Sequence, residues 1–403
     1  MAAVPTTLAG RHVVGTGSRR SLRSRVDAAP GGDQAVAWRH IDWLLVGATL
    51  AIAVYGVLMV FSATKTQQLQ HGASPTYYLE KQGLFMLLGT GAGFLAAAID
   101  YRRIRPLAVL VYIATIALLA GVKVPGLASN HKGAQSWYDI GTFQLQPSEF
   151  AKLSLLVCLA AYASKHRGDL DGRRLLALLG MAGLPMALIQ LQPDLGTNLV
   201  FAMMLLAVLL IAGVRGRHMA VLAVVGIVGI GVVLAPGSGI LGKYQKDRLG
   251  AFVDSSSDIQ GSRYNLNQSK IAIGSGGVAG KGLFEGTQTR LALVPEQRTD
   301  FIFTAVGEQL GLIGSVALLA LFGIVVWRTW RAASLAQDLF GTLLCIGILA
   351  MFVFQIFENV GMTMGIMPIT GIPLPFMSYG GSATIVEFVA IGVVLNVNMR
   401  RFA

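Results

Sequence analysis

The sequence predicts an all-α polytopic membrane protein with a ten-helix membrane domain. Both termini are expected to be cytoplasmic, and a large extracytoplasmic loop is expected between helices 7 and 8. Three observations carry this expectation. Of the 403 residues, 54% are hydrophobic and only 13% are charged, about half the ~25% charged share usual in soluble domains. Apolar runs of about twenty residues recur, the length a helix needs to cross hydrocarbon. The runs are continuous rather than alternating, so helices and not barrel strands would satisfy the backbone in lipid.

Taken in order, residues 1–37 contain no apolar run and carry Arg11, Arg19, Arg20, Arg23 and Arg25. They read as a disordered basic cytoplasmic tail, because a cleaved signal would need an apolar core. The membrane domain, 38–403, is expected to hold spans at 42–62, 82–100, 104–122, 149–164, 174–191, 196–213, 217–236, 301–327, 338–364 and 381–398. Loop charge sets their direction. Alternate loops carry Arg102, Arg103 and Arg105, then Lys165, Arg167, Arg173 and Arg174, then Arg215 and Arg217, then Arg328 and Arg331. Those loops belong inside by the positive-inside rule. The loops at 123–148, 190–196, 237–300 and 365–380 then face outward.

The net charge of +12 would suggest nucleic acid in a soluble protein. Here the cations sit in short loops and a tail, which assigns them to topology and anionic lipid headgroups instead. Cys158 and Cys345 both fall inside apolar spans and read as small core residues.

The outward loops concentrate the unusual residues. Gln268–Gly311 joins a glycine-rich segment to a polar run and then places Asp300 at the mouth of an apolar helix. A carboxylate there is costly without a purpose. The segment GSGGVAGKG, Gly274–Gly282, is not a P-loop: Ser275 and Gly282 stand where Gly and Ser/Thr are required. It reads as a tight backbone curve able to approach another surface closely. In QPSEFAK, Gln146–Lys152, Pro147 suits a first helical turn, and Glu149 and Lys152 share one helical face and should pair. Asp194 is placed to cap the following helix. Asp300, Thr304, Glu308 and Gly311 recur on one stripe, with Glu308 expected against Glu358, Asn359 or Glu387. Gly307, Gly311, Gly361 and Gly365 offer close-packing surfaces for a neighbouring helix. The 237–300 loop adds Arg263, Lys281 and Arg298 as cations for an anionic substrate.

Six blocks together, QSKIAIGSGG, GKGLFEGTQ, VPEQRTDFIF with GEQLG, QPSEFAK, QPDLGT and GIPLPFMSYGGS, resemble the signature blocks of the SEDS (shape, elongation, division, sporulation) family over roughly residues 40–400. They look more like the elongation-type RodA branch than the division-type FtsW branch. The resemblance implies a peptidoglycan glycosyltransferase of the bacterial cytoplasmic membrane that polymerises lipid II, and a class B penicillin-binding protein as partner. It matches Asp300 to the family's essential aspartate, and Glu149 and Lys152 to its pair on the fourth helix. The chain departs from the family at Arg298, where a His is usual, and at Ser136 in GAQSW, where an Arg is usual and Lys132 is a nearby substitute. The implied chemistry is one inverting displacement at an anomeric carbon. Asp300 would act as base. Lys152, Arg263, Lys281 and Arg298, or a divalent cation (Mg or Mn) held partly by Asp300, would hold the departing pyrophosphate. Rival readings are a lipid II flippase, which intramembrane carboxylates suit, and a scaffold without activity of its own.

Overall fold

In a computed structural model, the structure describes residues 38–124, 128–131, 134–141, 143–168, 170–234 and 261–402. The expected basic tail and Lys132 lie outside the described residues. So does the first part of the outer loop, 235–260.

The described chain is mostly helical. The long helices are α1 (Trp43–Gln70), α2 (Tyr77–Ala98), α3 (Ala108–Gly121), α4 (Pro147–Lys165), α5 (Gly172–Gln190), α6 (Leu195–Ala212) and α7 (Gly216–Leu234). After residues 235–260 come α8 (Ser262–Gly276), the one-turn α9 (Thr287–Arg290), α10 (Ile302–Ser334), α11 (Leu339–Met364) and α12 (Gly381–Met399). Every expected span overlaps one of these helices. Among the described residues, seven stretches are long and apolar enough to cross a membrane: those of α1, α5, α6, α10, α11 and α12, and α3 with the turn before it. In α4 the charges of Glu149, Lys152 and Lys165 lower the apolar character, and in α2 those of Glu80 and Lys81 do the same.

Local chemistry explains the boundaries. The Asp194 carboxylate accepts from the Thr197 amide at 2.9 Å and from its hydroxyl at 2.7 Å, capping α6 as its spacing suggests. Asp42, Asp171 and Asp338 cap α1, α5 and α11 in the same way. Pro147 occupies the first turn of α4, where no amide hydrogen is needed.

The structure departs from the expected loops in two places. Three short strands, β1 (Ser129–His131), β2 (Ala134–Ile140) and β3 (Phe143–Leu145), form small antiparallel pairings in that order. The strands are pinned from outside. The Tyr138 hydroxyl donates to the Leu118 carbonyl at 2.8 Å, and the Phe143 ring meets Phe85 edge-on at 5.8 Å. Ser136, the departure in GAQSW, is 3% exposed within β2. The second departure is α8, which makes part of the expected loop a packed helix. With Val294 and Phe301 before α10, and Met362 and Ile369 near the end of α11, its Leu266 and Ala272 build a second, smaller core. The main core runs through the bundle around α12, most of which is buried.

Candidate active site

The amino-terminal third of α10 is broken at Gly311, whose φ of 62° and ψ of −157° are outside the helical region. Only glycine takes that conformation without strain. A break inside an apolar bundle leaves backbone groups without partners, and the glycine-rich segment supplies them. Lys281 and Gly282 donate their amides to the Glu308 and Gln309 carbonyls at 3.0 Å each. Leu312 and Ile313 donate to the Gly277 and Val278 carbonyls at 3.0 and 3.1 Å. A Cβ at Gly280 would overlap the Gln309 carbonyl, so the close approach depends on glycine there. The surface that GSGGVAGKG approaches is therefore the interrupted helix of the same chain.

Glu308, 0% exposed, closes the arrangement. Its carboxylate accepts from the Lys281 ammonium at 3.0 Å, the Gln288 amide at 2.7 Å, and the Thr289 amide and hydroxyl at 3.0 and 2.8 Å. This corrects the expectation that Glu308 faces Glu358, Asn359 or Glu387. The break folds the 281–289 segment back over the acid, and four donors reach it from there. The Gln297 side chain extends the network, donating to the Thr289 and Thr304 hydroxyls at 3.0 Å each.

Gln297 belongs to the turn that presents Asp300. Glu296 holds φ at +55°, rare for a non-glycine residue. Its carbonyl collects the amides of Thr299, Asp300 and Phe301 at 3.1, 3.1 and 3.3 Å. The Asp300 carbonyl accepts from the Asn359 amide nitrogen at 2.8 Å, and the same nitrogen donates to the Ile372 carbonyl at 2.8 Å. Asp300 itself is half-buried just before α10. Glu296 is half-buried and strained, and it lines a cleft.

That cleft, of about 110 Å³, lies between the carboxy-terminal end of α1 and the 292–298 turn. Thr64, Gln67, Glu296, Gln297 and Arg298 supply its polar wall. Arg298 is half-buried, and among the described residues its guanidinium has no ion pair or hydrogen bond. Its central carbon lies over an aromatic ring, 4.5 Å from the centre of Tyr78. Tyr78 meets Tyr379 edge-on at 5.0 Å, and the Tyr379 amide donates to the Arg298 carbonyl at 2.8 Å. Burial, with Tyr78 and Tyr77 adding to it and Arg298 opposing, pushes the Tyr379 phenol up to about 12.

The remaining expected site residues lie apart from this cleft wall. Glu149 and Lys152 pair at 2.7 Å with side chains 4% and 2% exposed, as their spacing on α4 suggests. Glu387 of α12 accepts from the Phe376 amide at 2.7 Å. Lys281 is engaged by Glu308. Arg263 is half-buried in the first turn of α8. Among the described residues, no three or more His, Cys, Asp or Glu side chains gather as a metal site. Sequence reading missed Tyr78, Gln297 and Tyr379 and set Asn359 against Glu308; Tyr78, Tyr379 and Asn359 act through partners distant in the chain, and Gln297 through Thr289 and Thr304.

A family model described as "cell cycle protein", covering FtsW, RodA and SpoVE, matches residues 42–402. The chain belongs to this family. Among its SEDS relatives, stage V sporulation protein E of Bacillus subtilis (strain 168) is 35% identical over 360 residues, covering 89% of this chain and 96% of that protein. Peptidoglycan glycosyltransferase MrdB of Escherichia coli K12 is 34% identical over 368 residues, covering 90% and 94%. The fold is similar to that of Thermus thermophilus rod shape determining protein RodA, with a TM-score of 0.65 at 29% identity over 90% of this chain and 98% of that one. It is also similar to a chain of a peptidoglycan synthase complex that coordinates polymerization and crosslinking, with a TM-score of 0.73 at 28% identity over 90% and 98%. The SEDS chain described here is thus a multi-pass membrane protein of that fold.

Proposed function

We propose that this SEDS protein is a peptidoglycan glycosyltransferase that polymerises lipid II at the outer face of the bacterial cytoplasmic membrane. Ten helices would cross, with both termini inside and 237–300 outside, as loop charge requires. The names carried by MrdB and FtsW relatives support the activity. The motif blocks support an elongation role, and the peptidoglycan synthase complex supports a class B penicillin-binding protein as partner.

The observation that carries the reading is Arg298, a half-buried guanidinium two residues from Asp300 that lines the cleft with no ion-pair partner among the described residues. Lys152 and Lys281 already serve buried carboxylates. Arg298 therefore has its in-plane donors available for a diphosphate, to which a guanidinium can bind two oxygens at once.

In the reaction, Asp300 takes the proton of the acceptor's 4-hydroxyl. That oxygen attacks the anomeric carbon from the face opposite the leaving group, forming the β-1,4 bond. The polyprenyl pyrophosphate departs with the electron pair of the broken C–O bond, and Arg298 meets its growing charge. The donor set suits a hydrated Mg or Mn ion brought with the pyrophosphate, for which Asp300 would be the protein ligand. Such an ion would add charge neutralisation at the leaving group. The test is polymerisation of lipid II by the purified protein, with and without its penicillin-binding partner. Transport of labelled lipid II without polymer would overturn the reading.

A further inference from the structure

We propose that Tyr78 is a positioning residue. Its ring is the platform that holds the Arg298 guanidinium flat, so that the cation's edge stays open to the diphosphate of the substrate. The inference rests on the reading of Arg298 as the diphosphate contact.

A lone arginine at a cleft wall has many rotamers, and ordering it is costly. An ion pair would order it but would occupy the donors that an anionic ligand needs. Stacking orders it differently: the ring quadrupole attracts the π face of the guanidinium, while all five N–H groups lie in the plane and remain available. At Arg298 the central carbon of the guanidinium lies over the ring. The guanidinium sits 4.5 Å from the Tyr78 ring centre and makes no polar side-chain contact among the described residues.

The platform is itself held between two further rings. Tyr77 meets Tyr78 edge-on at 5.2 Å, and Tyr379 does so from the opposite segment at 5.0 Å. The Gln82 side chain, one turn further along α2, donates to the Ser378 carbonyl at 3.2 Å. The Tyr379 amide then holds the Arg298 carbonyl at 2.8 Å. The start of α2, the turn before α10 and the turn before α12 meet at this one cation. No other arginine of the described residues combines an aromatic platform, absence of a polar partner and a place on the cleft wall.

The test separates the platform from the reaction. Tyr78 is replaced by phenylalanine and then by phenylalanines carrying one, two and three ring fluorines, which drain the π face while nearly preserving shape. Binding of inorganic pyrophosphate to the purified full-length protein is measured across the series. Affinity is expected to fall progressively, by about 2- to 30-fold from the unfluorinated to the most fluorinated ring. In an Arg298→Met background the series should be flat. A flat series with Arg298 present, an equal slope without it, or no measurable pyrophosphate binding would each overturn the proposal. Lipid II polymerisation is measured in parallel. A protein that makes no polymer but shows the sloped series refutes the glycosyltransferase reading and keeps the platform. A polymerising protein with a flat series does the reverse.

Discussion

Glu308 and Lys281, far apart in sequence, meet at 3.0 Å across the break in α10. The pair joins the two parts of one device, a helix interrupted at Gly311 and a glycine-rich segment laid into the gap. The acid is fully buried and holds three further donors, so it orders the segment more than it serves as a simple ion pair. Glu308→Gln turns one acceptor oxygen into a donor that faces other donors. Loss of a hydrogen bond with a charged group, with donors left unsatisfied, costs about 1–3 kcal/mol. The variant should melt lower and exchange the 281–289 amides faster. Unchanged exchange there would show that Glu308 does not hold the segment.

Gly311→Ala tests the break itself. The alanine would need a positive φ and would crowd the Gly280 amide and the Val278 carbonyl. A backbone conformation of this kind costs about 1–3 kcal/mol for a non-glycine residue, and the crowding adds to it. The expected outcome is a lower melting temperature with loss of polymerisation. Wild-type stability would mean that the helix runs straight through.

Asp300→Asn keeps the size of the side chain and removes its charge. The turn is held by backbone bonds to Glu296 and Asn359, so the fold should survive. Loss of a general base lowers rates by about 10²–10⁴-fold. Polymerisation of lipid II at matched yield and melting temperature is the measurement, and near wild-type turnover would remove Asp300 from the chemistry.

For Glu149 and Lys152, removing either partner leaves an unpaired charge in the bundle at a cost of about 3–5 kcal/mol. Removing both should cost less than the sum, and a double-mutant cycle of unfolding reads the coupling. Additive losses would contradict the 2.7 Å pairing.

Topology is tested by Glu285→Cys, a well-exposed site beyond α8. Cys158 and Cys345 are buried and should stay silent. An impermeant thiol reagent should label intact cells lacking an outer membrane. Labelling only after permeabilisation would invert the assignment.

What the sequence made legible were relationships short along the chain. The Asp194 cap and the Glu149–Lys152 pair follow from three-residue spacings, and helix positions follow from runs of apolar residues. The break at Gly311 was hidden, because a glycine inside an apolar run reads equally as a packing surface. The same ambiguity applied to Gly307 and Gly365, which meet Ile273 and Lys270 of α8 within the chain. The partners of Glu308 were assigned to the wrong helices because the acid is satisfied from a loop that folds back. The strands of 129–145 were missed, being short and held by Tyr138 and Phe143 contacts that only the assembled bundle provides. Tyr78 gave no signal, since nothing in its neighbourhood along the chain points to Arg298.

The Asn359 amide has a further consequence. One nitrogen with two hydrogens serves both the Asp300 and Ile372 carbonyls, so the distance between those two backbones is set by a single atom. One residue added between Gly365 and Ile372 would displace the chain by up to about 3.8 Å, more than either bond can follow. An epitope or fluorescent fusion placed there would therefore be read out at Asp300, two helices away in sequence order, while one at the amino-terminal end of the chain would leave that spacing untouched.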